Sequence, residues 1–296
     1  MCVTPQQQHF NIDLLRQYER EPGNEDERRR KKQEEDTKRL ANLVPFMAAV
    51  IVYFMIDSQT ESSFVSQGLK MDYSDLFNET ILPEDWTYSF DPLGVIVTVP
   101  VMLFIIKPLY EHIAGRTMTV LPRIRWGMIM AALACGLASL VESIRLSCCG
   151  FKKTIRHFNG NTFHYCHSGL PIYTQVPQYL IIGMSEVLAT VGFMEFVLST
   201  SPREFRCTTF GVLQMMQGIA RYFGAFLLYI IEKSRPTWYY VRQKSPLRCS
   251  NGHDHESSPY YYYVILTWMM ILNVIFYMIA EFRYKKYTRM APLEIT

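Results

Sequence analysis

The chain has 296 residues with 30 Lys and Arg against 27 Asp and Glu, and its mean hydropathy is +0.01, a value typical of soluble proteins. The charge is uneven, because residues 16–39 form a nearly continuous charged stretch while several segments of about twenty residues are almost free of charge. This distribution disfavours a soluble enzyme, and 49% apolar with 14% aromatic residues excludes a disordered chain.

Six segments are long and apolar enough to cross a bilayer, since a helix rises 1.5 Å per residue and the hydrocarbon core is about 30 Å thick. In chain order they are residues 43–64, 92–109, 126–146, 176–198, 207–231 and 260–280. We therefore predict an all-α membrane protein with six transmembrane helices. Residues 1–42 are predicted to form a charged cytosolic linker, 43–281 the helical bundle, and 282–296 a cytosolic tail.

The first segment is apolar only as far as Ile56 and continues as DSQTESSF. Its second half is therefore predicted to face water or protein rather than lipid. No apolar signal region precedes it, which places the amino terminus in the cytosol. With both termini inside, the cytosolic segments hold eighteen Lys and Arg and the outer segments ten, as the positive-inside rule requires.

The predicted outer loops contain one glycosylation sequon, at Asn78, and four of the seven cysteines. Pairing of Cys166 with either Cys148 or Cys149 would close a short loop between the third and fourth spans. Five of the seven histidines lie in the same loops, and polar loop tips are favoured there over a metal site. The expected location is an endolysosomal membrane or the plasma membrane.

Ionisable residues inside the predicted spans are costly, at least about 2.5 kcal/mol at a helix centre, and tend to mark a pathway or binding site. Glu186 lies near the midplane of the fourth span, and substrate or proton binding is favoured there over a structural ion pair. Asp57 and Arg221 lie toward the outer half of the membrane, and Asp91 begins the second span. Arg221 is open to two interpretations, a clamp for a substrate carboxylate or an ion pair between helices. Glu195 is predicted to reach water, Arg203 or Arg206.

No nucleophile motif, P-loop, HExxH or CxxC pair is present, so no catalytic residue, enzyme activity or cofactor is predicted. The basic residues 28–32 could attract anionic lipid head groups, but a solvated cytosolic linker or an amphipathic helix near the membrane is favoured, and the neighbouring glutamates disfavour nucleic acid.

The string QVPQYLIIGMSEVLATVGFMEFVLSTSPREF, at residues 175–205, resembles the tenth helix of proton-coupled oligopeptide transporters, in the peptide and histidine branch of the major facilitator superfamily. The shared features are the PQY start, the mid-helix Glu, the G-x-x-E-F near the end and the S-P exit. Weaker similarity covers the first, second, third and fifth spans, which resemble the seventh, eighth, ninth and eleventh helices. The resemblance implies that the six spans form the carboxy-terminal half of a twelve-helix fold.

By position, the resemblance implies that Glu186 binds the amino group of a peptide and that Tyr53 or Phe54 lines a central cavity. It also implies symport of di- or tripeptides, or histidine, coupled to protons. Three further positions correspond to family sites with other residue types. They are Asp91 where Asn is usual, Leu213 where an aromatic residue is common, and Gln217 where Ser is common.

The family's E-x-x-E-R motif and its substrate-carboxylate Lys and Tyr pairs belong to the other half of the fold. This chain is therefore expected to be a half-transporter or truncated member that does not transport efficiently alone, with a missing amino-terminal half or a second protomer as partner. The alternative hypothesis is a non-transporting membrane interaction protein whose charged residues 16–39 recruit cytosolic partners.

Overall fold

The computed structural model describes residues 22–72, 89–115, 117, 119–147, 152–158, 161–234 and 260–290. Most of this part is helical. The helices are α1 (Pro22–Asp57), α2 (Val65–Gly68), α3 (Phe90–Val101), α4 (Lys107–Ala114), α5 (Val120–Ser147), α6 (Val176–Thr200), α7 (Arg206–Ser234) and α8 (Tyr260–Met290). A π-helical turn, Thr60–Phe64, lies between α1 and α2, and a second, Met102–Ile106, connects α3 to α4. Short 3₁₀ turns precede α6 and α7.

Five helical segments of the described chain are long and apolar enough to cross a membrane: Glu27–Gly68, Phe90–Ile113, Val120–Ser147, Ile172–Thr200 and Tyr260–Thr288. They contain five of the six predicted spans. The remaining predicted span, residues 207–231, lies within α7, which is 29 residues long. Gln214, Gln217 and Arg221 interrupt the apolar residues of α7. Its length of roughly 44 Å is nevertheless sufficient for a crossing.

An antiparallel hairpin, β1 (Lys152–Phe158) and β2 (Asn161–His167), lies between α5 and α6. In its register Lys153 is opposite Cys166. The hairpin adds a small β-element to the predicted all-helical architecture. Cys148, Cys149 and the sequon at Asn78 lie outside the described residues, as does the side chain of Cys166, so the disulfide and the glycosylation site stay predictions.

The bundle is centred on α5 and α6, which pack along each other, with α8 against α5 and α3 against α6. The helix α1 packs on α7 and α8. Small residues on α5, including Ala131, Ala134 and Ala138, are fully buried and allow this close approach. An aromatic cluster joins α1, α6 and α8, where the ring of Phe46 lies 4.7 Å from that of Phe196 and 5.5 Å from that of Tyr277.

A fully buried ion pair links two neighbouring turns of α5. Arg145 donates from Nη2 to Glu142 Oε1 at 2.7 Å and from Nε to Oε2 at 3.0 Å, and both side chains are at most 1% exposed. Gln67 donates to the same carboxylate at 3.1 Å, and its own Oε1 accepts from Gln175 and Gln178. The network therefore ties α2, α5 and α6 together at one end of the bundle.

At the opposite end of α5, Arg123 forms an ion pair with Glu195 on α6. The predicted partners of Glu195, Arg203 and Arg206, were wrong, because α5 lies directly beside α6 and brings Arg123 to this carboxylate. The nearly buried Glu281 of α8 accepts from Arg125 at 3.2 Å and from Lys285 at 2.6 Å.

Residues 22–42 of the predicted linker are continuous with the first span, because α1 runs unbroken from Pro22 into the bundle. On its exposed part, Lys32 donates to Glu204, in the connection between α6 and α7, at 2.8 Å. That hydrogen bond lowers the pKa of Glu204 below its usual value.

Candidate functional site

Ionisable residues from five places in the fold converge at the junction where α1 ends and α3 begins, beside the middle of α6 and α7. They are Asp57, Glu61, Asp91, Glu186 and Arg221. Each is partly or largely exposed, in contrast to the buried pair on α5. The four sequence-predicted members are thus brought together, and the structure adds Glu61.

The end of α1 places two acids on the same side of the chain. Asp57 is the last residue of α1, and Glu61 lies four residues later in the π-helical turn Thr60–Phe64. Side-chain hydrogen bonds hold this irregular segment, since Thr60 Oγ1 donates to the Asp57 carbonyl at 2.9 Å and Ser63 Oγ to the Gln59 carbonyl at 3.1 Å. Single π-helical turns are frequent at functional sites.

Arg221 forms its ion pair with Glu61, at 3.4 Å to each carboxylate oxygen. Both side chains remain about half exposed, at 56% and 48%. The helices meet closely because Gly224, one turn beyond Arg221, contacts the end of α1. A Cβ at Gly224 would lie 2.8 Å from Gln59 Nε2 and 2.9 Å from Ser58 Oγ. Arg221 thus contacts Glu61, an acid that no sequence pattern singles out, and its role at the site stays a prediction.

Glu186 is positioned by the residue before it. Ser185 is fully buried, donates to the Gly127 carbonyl of α5 at 2.8 Å, and lies 3.1 Å from the hydroxyl of Tyr53. These contacts fix the rotation of α6, so Glu186 is half-buried at the face shared with Arg221. Tyr53 is fully buried and Phe54 is 5% exposed, their rings 5.2 Å apart. In this structure both aromatic side chains pack inside the bundle.

Asp91 is held against α6 by a close approach between α3 and α6. A Cβ added to Gly183 would collide with the Asp91 carbonyl and lie 3.0 Å from its Oδ1. Gly183 is three residues before Glu186, so the two positions share a face of α6. Asp91 therefore contacts the face of α6 that carries Glu186, and the two carboxylates interact electrostatically.

The two predicted positions on α7 have different environments. Leu213 is fully buried in the hydrophobic core. Gln217 lies one turn before Arg221 and is half-buried, and its Nε2 is buried with no hydrogen-bond partner among the described residues. Gln217 is thus a polar group available near the charged cluster, whereas Leu213 supports it by packing.

The charges of the cluster act on one another. Asp57 interacts electrostatically with Glu186, Asp91, Arg221 and Glu61. Four carboxylates and one guanidinium leave a formal charge of −3 when all are ionised. Such an arrangement favours cations and protons, because like charges at short distance in a low-dielectric site repel. Among the described residues, no group of three or more His, Cys, Asp and Glu has a metal-binding arrangement.

A sequence model described as the POT family matches residues 5–243, which is more than half of the chain. This chain belongs to the POT family. The resemblance seen in the sequence is thereby confirmed, and the family is one of transporters rather than enzymes.

Relatives within the POT family come from animals and plants. The chain is 26% identical over 206 residues to solute carrier family 15 member 3 of Rattus norvegicus, covering 65% of this chain and 35% of that protein. It is 29% identical over 262 residues to protein NRT1/PTR family 8.2 of Arabidopsis thaliana, covering 86% of this chain and 42% of that protein. The chain thus spans well under half the length of these curated relatives.

Solved structures of POT family transporters share the fold. The transporter PepTSo superposes with a TM-score of 0.62 at 17% identity, over 85% of this chain and 43% of that one. A POT family transporter in complex with 5-aminolevulinic acid superposes with a TM-score of 0.57 at 14% identity, over 82% of this chain and 41% of that one. The helical bundle described above is therefore the fold of part of a POT transporter.

Proposed function

We propose that this chain supplies the carboxy-terminal half of a proton-coupled transporter of short peptides or histidine, with Glu186 binding the amino group of the substrate. The observation that carries the proposal is the position of Glu186, a half-buried acid in the middle of an apolar helix, within a family whose solved members include peptide transporters. An acid at that depth is costly unless a cation or proton binds it.

The proposed coupling ion is the proton. The four clustered carboxylates support this, because an acid beside other acids exchanges its proton when a cation binds or leaves. Asp57 and Asp91 are proposed to share in this exchange. Arg221 holds Glu61 and limits the negative charge of the site.

The neighbouring residues are proposed to shape the site rather than carry its charge. Tyr53 orients Glu186 through Ser185, and Phe54 fills the space beside Tyr53. On α7, Gln217 offers an amide donor and Leu213 holds the helix in the core.

Transport by alternating access requires two halves that move against each other. The partner of the bundle is proposed to be an amino-terminal half or a second protomer, within a bilayer of the endolysosomal or plasma membrane. Both termini are proposed to be cytosolic, with Asn78 glycosylated on the opposite side.

The test is uptake of a labelled dipeptide into proteoliposomes under an inward proton gradient, in the complete transporter. Glu186→Gln is expected to abolish uptake while leaving membrane insertion intact. The matched control is Glu195→Gln, on the same helix but paired with Arg123, which should retain uptake. Equal uptake by wild type and Glu186→Gln would remove Glu186 from the site.

A second function, a non-transporting membrane interaction protein, is favoured by one observation. The charged residues 27–39 of α1 are largely exposed outside the bundle. This alternative predicts no peptide binding at the charged cluster, and a cytosolic partner whose binding is lost when residues 16–39 are neutralised.

A further inference from the structure

The arginine of the cluster, Arg221, interacts with some of the clustered acids and not with others. Arg221 is paired with Glu61 and interacts electrostatically with Asp57 and Glu186. Within the described part of the chain, the charges that act on Asp91 are those of acids, Glu186 and Glu61. Asp91 is therefore the carboxylate of the site that the protein's described cations leave uncompensated.

The close approach of α3 to α6 fixes where this carboxylate lies. Asp91 Oδ1 lies against Gly183, whose missing side chain makes room for it. Residues three apart on a helix share a face, so Asp91 contacts α6 on the face that carries Glu186. Both acids are half-buried, so each retains an accessible side.

Asp91 and Glu186 repel each other when both are ionised, and a single positive charge offsets only one of the two negative charges. A ligand with two positive groups removes the repulsion at both positions. The ammonium of lysine lies on a flexible four-carbon stem and adjusts its distance from an α-amino group. A peptide with a free amino terminus and a basic side chain matches this pair of acids.

We propose that Asp91 binds a second cationic group of the substrate, so that the site prefers short peptides with a lysine or arginine side chain over neutral peptides. The inference rests on the proposed function, in which Glu186 binds the substrate amino group. An acidic side chain is the less suitable occupant, because it must displace Glu61 from Arg221 while adding negative charge to a cluster of four acids.

The experiment measures dissociation constants of three dipeptides, Lys-Ala, Ala-Ala and Glu-Ala, for the purified complete transporter in lipid nanodiscs. Wild type is expected to bind Lys-Ala at least about tenfold more tightly than Ala-Ala, the order of one additional charge interaction in a partly exposed site. The isosteric Asp91→Asn should bind Lys-Ala and Ala-Ala equally, because it removes the charge that distinguishes the two peptides. Glu195→Gln, at the other end of α6, should retain the wild-type preference.

The dissociation constants of the three dipeptides for wild type test the inference even if Asp91→Asn does not fold. Equal binding of Lys-Ala and Ala-Ala overturns the role of Asp91 and leaves the proposed function standing. Tightest binding of Glu-Ala also overturns it and identifies Arg221 as the second anchor. Absence of binding by all three peptides contradicts both the inference and the proposed function.

Discussion

Replacing Arg145 by Met should destabilise the bundle strongly, because it leaves the buried carboxylate of Glu142 without its counter-charge. Glu142 accepts two hydrogen bonds from Arg145, at 2.7 and 3.0 Å, and one from Gln67 at 3.1 Å. Hydrogen bonds to charged groups contribute about 1.5–3 kcal/mol each. The loss of two of them agrees with the cost of about 3–5 kcal/mol for breaking a buried ion pair.

The free energy of unfolding can be followed by titration with dodecyl sulfate, using the fluorescence of the four tryptophans. The matched control is the double variant Glu142→Gln with Arg145→Met. It removes both charges, and the amide oxygen introduced by Glu142→Gln can still accept a hydrogen bond from Gln67. Because a neutral replacement of a buried ion pair is often close to neutral in stability, the double variant should recover most of the loss.

A loss below about 1 kcal/mol for Arg145→Met would refute the reasoning, since that is the range of exposed ion pairs. It would mean that water reaches Glu142. A double variant as unstable as the single one would show that the side chain of Arg145 stabilises by packing rather than by charge.

Two further outcomes test the close contacts and the exposed part of α1. Gly183→Ala should lower the free energy of unfolding by about 1–3 kcal/mol in the same titration, because the new Cβ meets the backbone of α3. The control Gly211→Ala should be neutral or slightly stabilising, because there is open space around Gly211. Because Lys32 lowers the pKa of Glu204, their contact should persist at neutral pH and be lost as pH falls below about 4.5. A spin label at Arg203 should then become more mobile, and Glu204→Gln should show that mobility at neutral pH. A label with the same mobility in both proteins would contradict a contact at this position.

The intramembrane acids were predictable from sequence because a charge interrupting an apolar segment is conspicuous. Glu186, Asp91 and Asp57 were found this way, and the structure brings them together. Glu61 was missed because it lies in the polar continuation DSQTESSF, where an additional acid carries no distinctive signal. Only the packing of α7 on α1 identifies Glu61 as the partner of Arg221.

Which residues of a membrane helix are buried inside the bundle is harder to predict than which segments span the membrane. In water an apolar stripe marks the buried face of a helix, but lipid-facing and core-facing residues of a membrane helix are both apolar. Nothing in the sequence therefore distinguishes the fully buried Tyr53 from a residue that faces a cavity. The hairpin of β1 and β2 was also missed, because its residues were read as polar loops between spans.

The two polar networks of the bundle differ in a way that separates stability from ligand binding. In the network on α5, Glu142 and Arg145 are both fully buried and are joined by two short hydrogen bonds. The cluster beside α6 has four acids, one cation and a long 3.4 Å ion pair with both partners half exposed. A buried ion pair whose hydrogen bonds are already made offers no site for a ligand. An accessible cluster with excess negative charge is stabilised when it binds a cation. Arg145→Met should consequently lower stability without changing the ratio of Lys-Ala to Ala-Ala affinity, and Asp91→Asn should change that ratio with little loss of stability. If either variant altered both quantities equally, the two networks would not be independent.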